Sequence, residues 1–275
     1  MRRDSSRRQV LAGGSLGVLG ALAGCLATGR SATETVTETY EITDLSSLSL
    51  ETVNGSITVD GDQGDAIEVR ARKAAPTEDA LESVTLESSR SDGQLTLETN
   101  HEQLPFLFGP SPKLDLEVTV PPEVRLARAK TTNGDVETRN VTGELVAGTT
   151  NGRVDVDGVD GGLSAETTNG EIHVTGVSGD VDASTTNGDI DIALADDGGN
   201  LSAESTNGKI TIRASASLGA TVSIETTNGD ISVEGFGDST ASSDSSLEMT
   251  LGDGTRRLRL ETTNGDVTLR STDAS

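Results

Sequence analysis

The side chains through which this chain could do chemistry are few in kind: two imidazoles (His101 and His173), one thiol (Cys25) and 45 carboxylates in 275 residues. Nucleophilic catalysis needs a nucleophile held beside a base. His173 occupies a position that other copies of an internal repeat fill with Glu137, Asp155, Asp191, Thr211 and Ser232, so it reads as a surface strand residue. His101 precedes a Pro-rich loop. One Cys and two His make no zinc site, and the sequence points to no catalytic residue, no metal and no cofactor. Carboxylates would suit glycoside cleavage or a calcium-dependent lyase, but here they are evenly spread and lack aromatic platforms. Asp155 to Gly162 (DVDGVDGG) and Asp196 to Asn200 (DDGGN) offer oxygen ligands for calcium. They do not follow the glycine-rich nonapeptide calcium repeat and read as Asp/Gly turns.

The chemistry that does stand out is a lipid attachment. Leu22-Ala23-Gly24-Cys25 resembles a lipoprotein cleavage box, with small residues for the peptidase and the Cys25 thiolate to take the lipid. Upstream, Ser6-Arg7-Arg8-Gln9-Val10-Leu11 resembles the twin-arginine export motif, Arg7 and Arg8 being its address. The apolar run Val10 to Ala23 is short for a membrane span. Residues 1–24 therefore read as a signal and 25–39, rich in Thr and Glu, as a solvated tether. Stable attachment would need a two-chain lipid, since one acyl chain binds membranes weakly. The expected location is the outer face of the cell membrane, lipid-anchored through Cys25.

The formal charge of −24 comes with many more Arg than Lys. Losing four Arg and one Asp with residues 1–24 takes it to −27. Self-repulsion at this density is relieved in concentrated salt, where the Debye length falls to about 3 Å at 1 M. The composition is salt-adapted and argues against nucleic acid or an anionic lipid surface as partner. With only Tyr40, Phe106, Phe108 and Phe236 as aromatics, the core must come from Val, Ile, Leu and Ala. No disulfide can form within a chain that has one Cys.

These groups are carried on an internal repeat. Asn-Gly recurs at Asn54-Gly55, Asn133-Gly134, Asn151-Gly152, Asn169-Gly170, Asn187-Gly188, Asn207-Gly208, Asn228-Gly229 and Asn264-Gly265. From Asn133 the spacings are 18, 18, 18, 20, 21 and 36, the last being two periods with one marker missing. Each unit holds two short alternating segments bounded by glycine, which predicts half-buried strands. Asn-Gly between strands also signals a hairpin turn, and hence a meander. In a meander, though, residues 18 apart lie two strands away and have no reason to match. In a stack of coils they are neighbours about 4.8 Å apart. The fold expected is all-β: a β-solenoid of stacked ~18-residue two-strand coils with an irregular N-terminal β cap.

Positions match column by column. Val136, Val154, Ile172, Ile190, Ile210, Ile231 and Val267 form one inward ladder, and Leu145, Leu163, Val181 and Leu201 the facing one, with Ala147, Ala165, Ala183 and Ala203 two residues on. The outward residue after Asn-Gly reads Asp135, Arg153, Glu171, Asp189, Lys209, Asp230, placing some opposite charges side by side. Of each Thr-Thr pair one column faces out, either Thr132, Thr150, Thr168, Thr186 or its neighbour column. β-branched fit and inter-coil hydroxyl bonding account for both columns without a ligand. Residues 127–275 form the regular coils and 40–126 the N-terminal β region and cap. Within the cap, Pro76 to Ser83 predicts a short helix begun by Thr77, and Leu104 to Pro112 is a loop whose Phe106 and Phe108 offer an apolar contact. The sequons at Asn54, Asn140 and Asn200 are no more than chance provides in a chain this rich in Ser and Thr.

Leu116 to Val136, a Val-Pro strand end leading into Thr-Thr-Asn-Gly-Asp-Val, resembles the adhesin-like family of β-solenoid repeat proteins, here in the form of a haloarchaeal-type lipoprotein. The resemblance spans roughly residues 46–270. It implies the solenoid fold and a structural or adhesive role at the cell surface, with a surface protein or glycan as partner; it carries no catalytic residues. An envelope-stress or signalling accessory that binds a membrane partner is the alternative, and a calcium-dependent polysaccharide-active enzyme a third.

Overall fold

The computed structural model describes residues 30–61, 63–101, 110–236 and 239–272. The N-terminal part holds β1 (Ala32–Glu41), β2 (Ser47–Glu51), β3 (Ile57–Gly61), β4 (Ala66–Ala75), α1 (Glu78–Glu82), β5 (Val84–Ser91), β6 (Gln94–His101) and β7 (Lys113–Val120). Coils follow as strand pairs: β8 (Arg125–Lys130) with β9 (Val136–Thr142), β10 (Leu145–Asn151) with β11 (Val154–Asp160), and β12 (Leu163–Asn169) with β13 (Ile172–Val177). Next come β14 (Val181–Asn187) with β15 (Ile190–Ala193), β16 (Leu201–Asn207) with β17 (Ile210–Ala214), and β18 (Ala220–Asn228) with β19 (Ile231–Phe236). The last described strands are β20 (Ser239–Ser243), β21 (Ser246–Leu251), β22 (Arg256–Asn264) and β23 (Val267–Ser271).

The strands form a 12-stranded and an 11-stranded sheet, face to face. Each coil contributes one strand to each sheet, and from β8 to β17 consecutive coils pair in parallel and in register, Leu145 beside Leu163 beside Val181 and Val154 beside Ile172 beside Ile190. This is the stacked arrangement expected from the 18-residue match, and the hairpin meander is not formed. The inward ladders are buried, and in the middle of the stack the second inward position of each strand is the small, fully buried Ala147, Ala165, Ala183 or Ala203. Leu50, Leu260 and Ile224 take the Ala position toward the ends.

One inward hydroxyl in the ladders is left unpaired. Thr138 stands between Val59 and Val156, wholly buried, and among the described residues its hydroxyl has no hydrogen-bond partner. Burying an unpaired hydroxyl costs about 1–3 kcal/mol, and valine has the same branching. Thr138→Val should therefore raise stability by about 1 kcal/mol, seen as a higher denaturation midpoint at unchanged slope; an unchanged or lower midpoint would refute this account of the hydroxyl.

Two expectations are corrected. Residues 32–39, assigned to the tether, form most of β1, which pairs along its full length with β4. An edge strand needs bonded backbone and β-branched residues more than a buried face, and alternating Thr33, Thr35, Thr37 and Thr39 supply them. The second correction concerns the order of coils. The 36-residue gap is not a missing coil followed by Asn264. The β22–β23 coil inserts between β16–β17 and β18–β19, so that Asn264 lies beside both Asn207 and Asn228. β20 and β21 fold back antiparallel on β19 and β18 and close that end. The N-terminal end repeats the device: β2–β3 lies between β6–β7 and β8–β9, with β5 and the β4–β1 pair outside. At each end, the coil nearest the chain terminus is held one layer inside the stack.

The expected helix is present as α1, where the Thr77 hydroxyl accepts from the amide of Ala80 at 3.2 Å. At the same end Tyr40 is half-buried, donates to the Glu38 carboxylate and lies under the Arg90 guanidinium, 5.7 Å from the ring centroid. Burial, then the bond to Glu38, push its phenol from 10 up to about 12. Because the folded value is raised, the fold's preference for the neutral phenol is fully present below pH 10 and is lost between 10 and 12. Tyr40 is the only Tyr and there is no Trp. An ultraviolet titration of the folded protein should therefore show one phenolate transition near 12, moving to near 10 in denaturant.

Candidate functional surface

The Thr-Thr-Asn-Gly corner is where sequence and geometry meet most closely. The Asn side chains form one continuous ladder, each Nδ2 donating to the Oδ1 of the coil before it. It runs Asn133 to Asn54, Asn151 to Asn133, Asn169 to Asn151, Asn187 to Asn169, Asn207 to Asn187, Asn264 to Asn207 and Asn228 to Asn264, at 2.8–3.0 Å. From the Asn133 corner onward the first hydroxyl residue turns inward and donates to the glycine carbonyl of the coil before it in the stack, as Thr149 does to Gly134 (2.9 Å) and Thr167 to Gly152 (3.1 Å). The second stays exposed, so of the two columns it is Thr132, Thr150, Thr168 and Thr186 that faces out.

Beside the corner runs the charged column. Arg153 pairs with Glu171 at 3.5 Å, and Lys209 pairs with Asp266 at 3.4 Å because Asp266, not Asp230, is its neighbour in space. All four are well exposed, so such pairs contribute little energy. The carboxylates also do a job that periodicity did not reveal: Asp135 Oδ1 accepts the amide of Arg153 (2.8 Å) and Asp189 Oδ1 that of Lys209 (2.8 Å). The amide of Asp230, with Lys209, likewise holds the Asp266 carboxyl below its usual range. The signal was present as the recurrent Asp two residues after Asn.

The outer faces are regular and polar. Exposed Thr186, Thr206, Thr263 and Thr227 lie in line with Glu204, Glu261 and Glu225 along an open groove of about 560 Å³. On the other sheet His173 lies between Asp155 and Asp191, half-exposed, as a surface strand residue. His101 ends β6. Of the two calcium-type segments read as turns, only Asp196–Asn200 holds one, with Arg256 donating to the carbonyls of Ala195 and Asp196; Asp155 to Asp160 instead run within β11, where Asp157 Oδ1 accepts from Thr175 (2.6 Å) and Asp160 Oδ1 from Ser178 (3.2 Å). Among the described residues no three His, Cys, Asp or Glu are placed to share an ion. Of the sequon residues, Asn54 is bonded into the ladder and Asn200 donates to Asp180, while Asn140 is exposed with φ 51°. Cys25, Arg7, Arg8, Phe106 and Phe108 lie outside the described residues, among which no helix is long and apolar enough to cross a membrane.

Among solved structures, a cell-adhesion-type protein from Clostridium sporogenes is similar over 88% of this chain and 100% of its own, at 10% identity and a TM-score of 0.41. An adhesin-like protein from Bacteroides fragilis is similar over 86% and 97%, at 11% identity and 0.39. A lipid-binding-type protein from Parabacteroides distasonis is similar over 87% and 97%, at 12% and 0.33. Likeness at that level says nothing of ligand or partner. No curated protein matches the chain. The family model described as Toastrack DUF4097 matches residues 30–270, the span from the first strand to the last, and the chain belongs to that family.

Proposed function

We propose that the protein is a non-enzymatic cell-surface module, exported through Arg7 and Arg8, held to the membrane by lipid on Cys25, and used for structural or adhesive work. The observation that supports this reading is the stack itself. Ladders of Val, Ile, Leu and Ala fill the space between the sheets. What is offered outward is an unbroken array of hydroxyls, carboxylates and ion pairs at strand spacing, suited to a surface protein or glycan. The charge suits such a face to concentrated salt, where screening permits close approach.

Deletion of the gene should lower attachment to surfaces or to other cells in native salt; unchanged attachment would refute the adhesive reading. Crosslinking on whole cells tests the accessory role, since recovery of one stoichiometric membrane protein would replace adhesion as the explanation. Cys25→Ser should release the protein into the medium or stall its processing. Wild-type membrane retention of that variant would refute the lipid anchor.

A further inference from the structure

We propose that Asn228 is a modification site, the one Asn-Gly pair at which the folded chain converts its amide spontaneously to aspartate or isoaspartate. Asn-Gly is the pair most prone to this reaction, because glycine leaves its backbone nitrogen free to reach the asparagine side chain. That nitrogen, on losing its proton, attacks Cγ. The N–Cγ bond forms, the Cγ–Nδ2 bond breaks, and Nδ2 leaves as ammonia. Water then opens the resulting succinimide at either carbonyl. One amide and one water become one acid and one ammonia, with no other reactant.

The stack holds this reaction in check at seven of the eight pairs. The amide of the glycine is tied to the Asn carbonyl of the next coil at 2.8–3.0 Å: Gly55 to Asn133, Gly134 to Asn151, Gly152 to Asn169, Gly170 to Asn187, Gly188 to Asn207, Gly208 to Asn264 and Gly265 to Asn228. Gly229 is the exception. Its coil is the last to carry an Asn-Gly corner, since beyond it lie only β20 and β21. Among the described residues its N–H has no acceptor, and the Asn228 Oδ1 accepts from no further Asn. Asn228 is exposed, so water can reach the ring.

The chain contains its own controls, because Thr-Thr-Asn-Gly-Asp is identical at Asn133, Asn187, Asn228 and Asn264. Local sequence cannot separate these four; only position in the stack does. Conversion would remove the Nδ2 that donates to Asn264, and the isoaspartyl product would lengthen the main chain between β18 and β19. The change falls on the outermost Asn-Gly coil and leaves the inner ladder intact.

The experiment ages the purified protein in native salt at mildly alkaline pH and follows each Asn-Gly pair by peptide mass mapping, alongside a sample held in denaturant. In the folded sample Asn228 should convert about tenfold faster than Asn133, Asn187 or Asn264, the protection that one retained hydrogen bond provides. In denaturant the four should converge. Conversion at any of those three as fast as at Asn228 in the folded protein would overturn the proposal. So would an Asn228 lead that persists in denaturant, or a folded protein in which Asn228 is as inert as the rest.

Discussion

Gly152→Ala is expected to lower stability by about 3–5 kcal/mol, combining backbone strain with overpacking. Gly152 has φ 153°, and a Cβ on it would fall on the carbonyl oxygen of Gly134 in the coil below. The neighbour there is main chain, which cannot turn aside as a side chain would, and that same Gly134 is pinned by the Thr149 hydroxyl donating to its carbonyl and by its own amide donating to the carbonyl of Asn151. A companion change separates the two costs. Gly188 has no positive φ, yet its Cβ would still meet the carbonyl of Gly170. Gly188→Ala should thus cost less than Gly152→Ala but still about 1–3 kcal/mol. Denaturant melts in native salt check both. Wild-type midpoints for the pair would mean that the coils can separate locally, and would remove the close stacking of corners as the reason for the glycine.

Ending the chain after Gly254 should do more damage than the loss of a terminal repeat. In a stack that follows sequence order, the last coil comes off and exposes one fresh face. Here β22 and β23 lie inside, with Leu258, Leu260, Val267 and Leu269 wholly buried between the coils of Asn207 and Asn228. Their removal leaves β18 and β19 without their parallel partners and deprives the turn at Ala195 and Asp196 of the Arg256 side chain. The expected result is loss of hydrogen-exchange protection through residues 218–251, while β10 to β15 stay protected. Retained protection over 218–251 would show that β18–β19 can stack directly on β16–β17, and that the inserted coil is dispensable.

Much of the candidate surface could be read in advance from residue columns. His173 is an outward strand residue because its column is otherwise Glu, Asp, Thr and Ser. The Asn ladder follows from identical residues at 18-residue spacing. What the columns concealed was the second use of the carboxylates. Asp135 and Asp189 stood out for their charge, and only the approach of adjacent coils showed them accepting the amides of Arg153 and Lys209. β1 was missed for a related reason: Thr and Glu at the start of the chain have little to bury, and the pairing that orders them comes from β4, some 35 residues downstream.

From the sequence alone follow the period, the two-strand coil, the corner chemistry and the inward ladders, since each depends on residues within one unit or on comparison of like positions. The order in which the coils stack was left to the tertiary structure. The reason is physical: every coil presents the same Asn, Gly, Thr and branched apolar contacts to its neighbour, so local complementarity is nearly the same for any pairing. Asn264 fits against Asn207 as well as Asn228 would. What differs between pairings is the ends, where the β20–β21 hairpin and the β1–β4 pair lie against the outermost coils and the coils nearest the chain termini sit one layer inside.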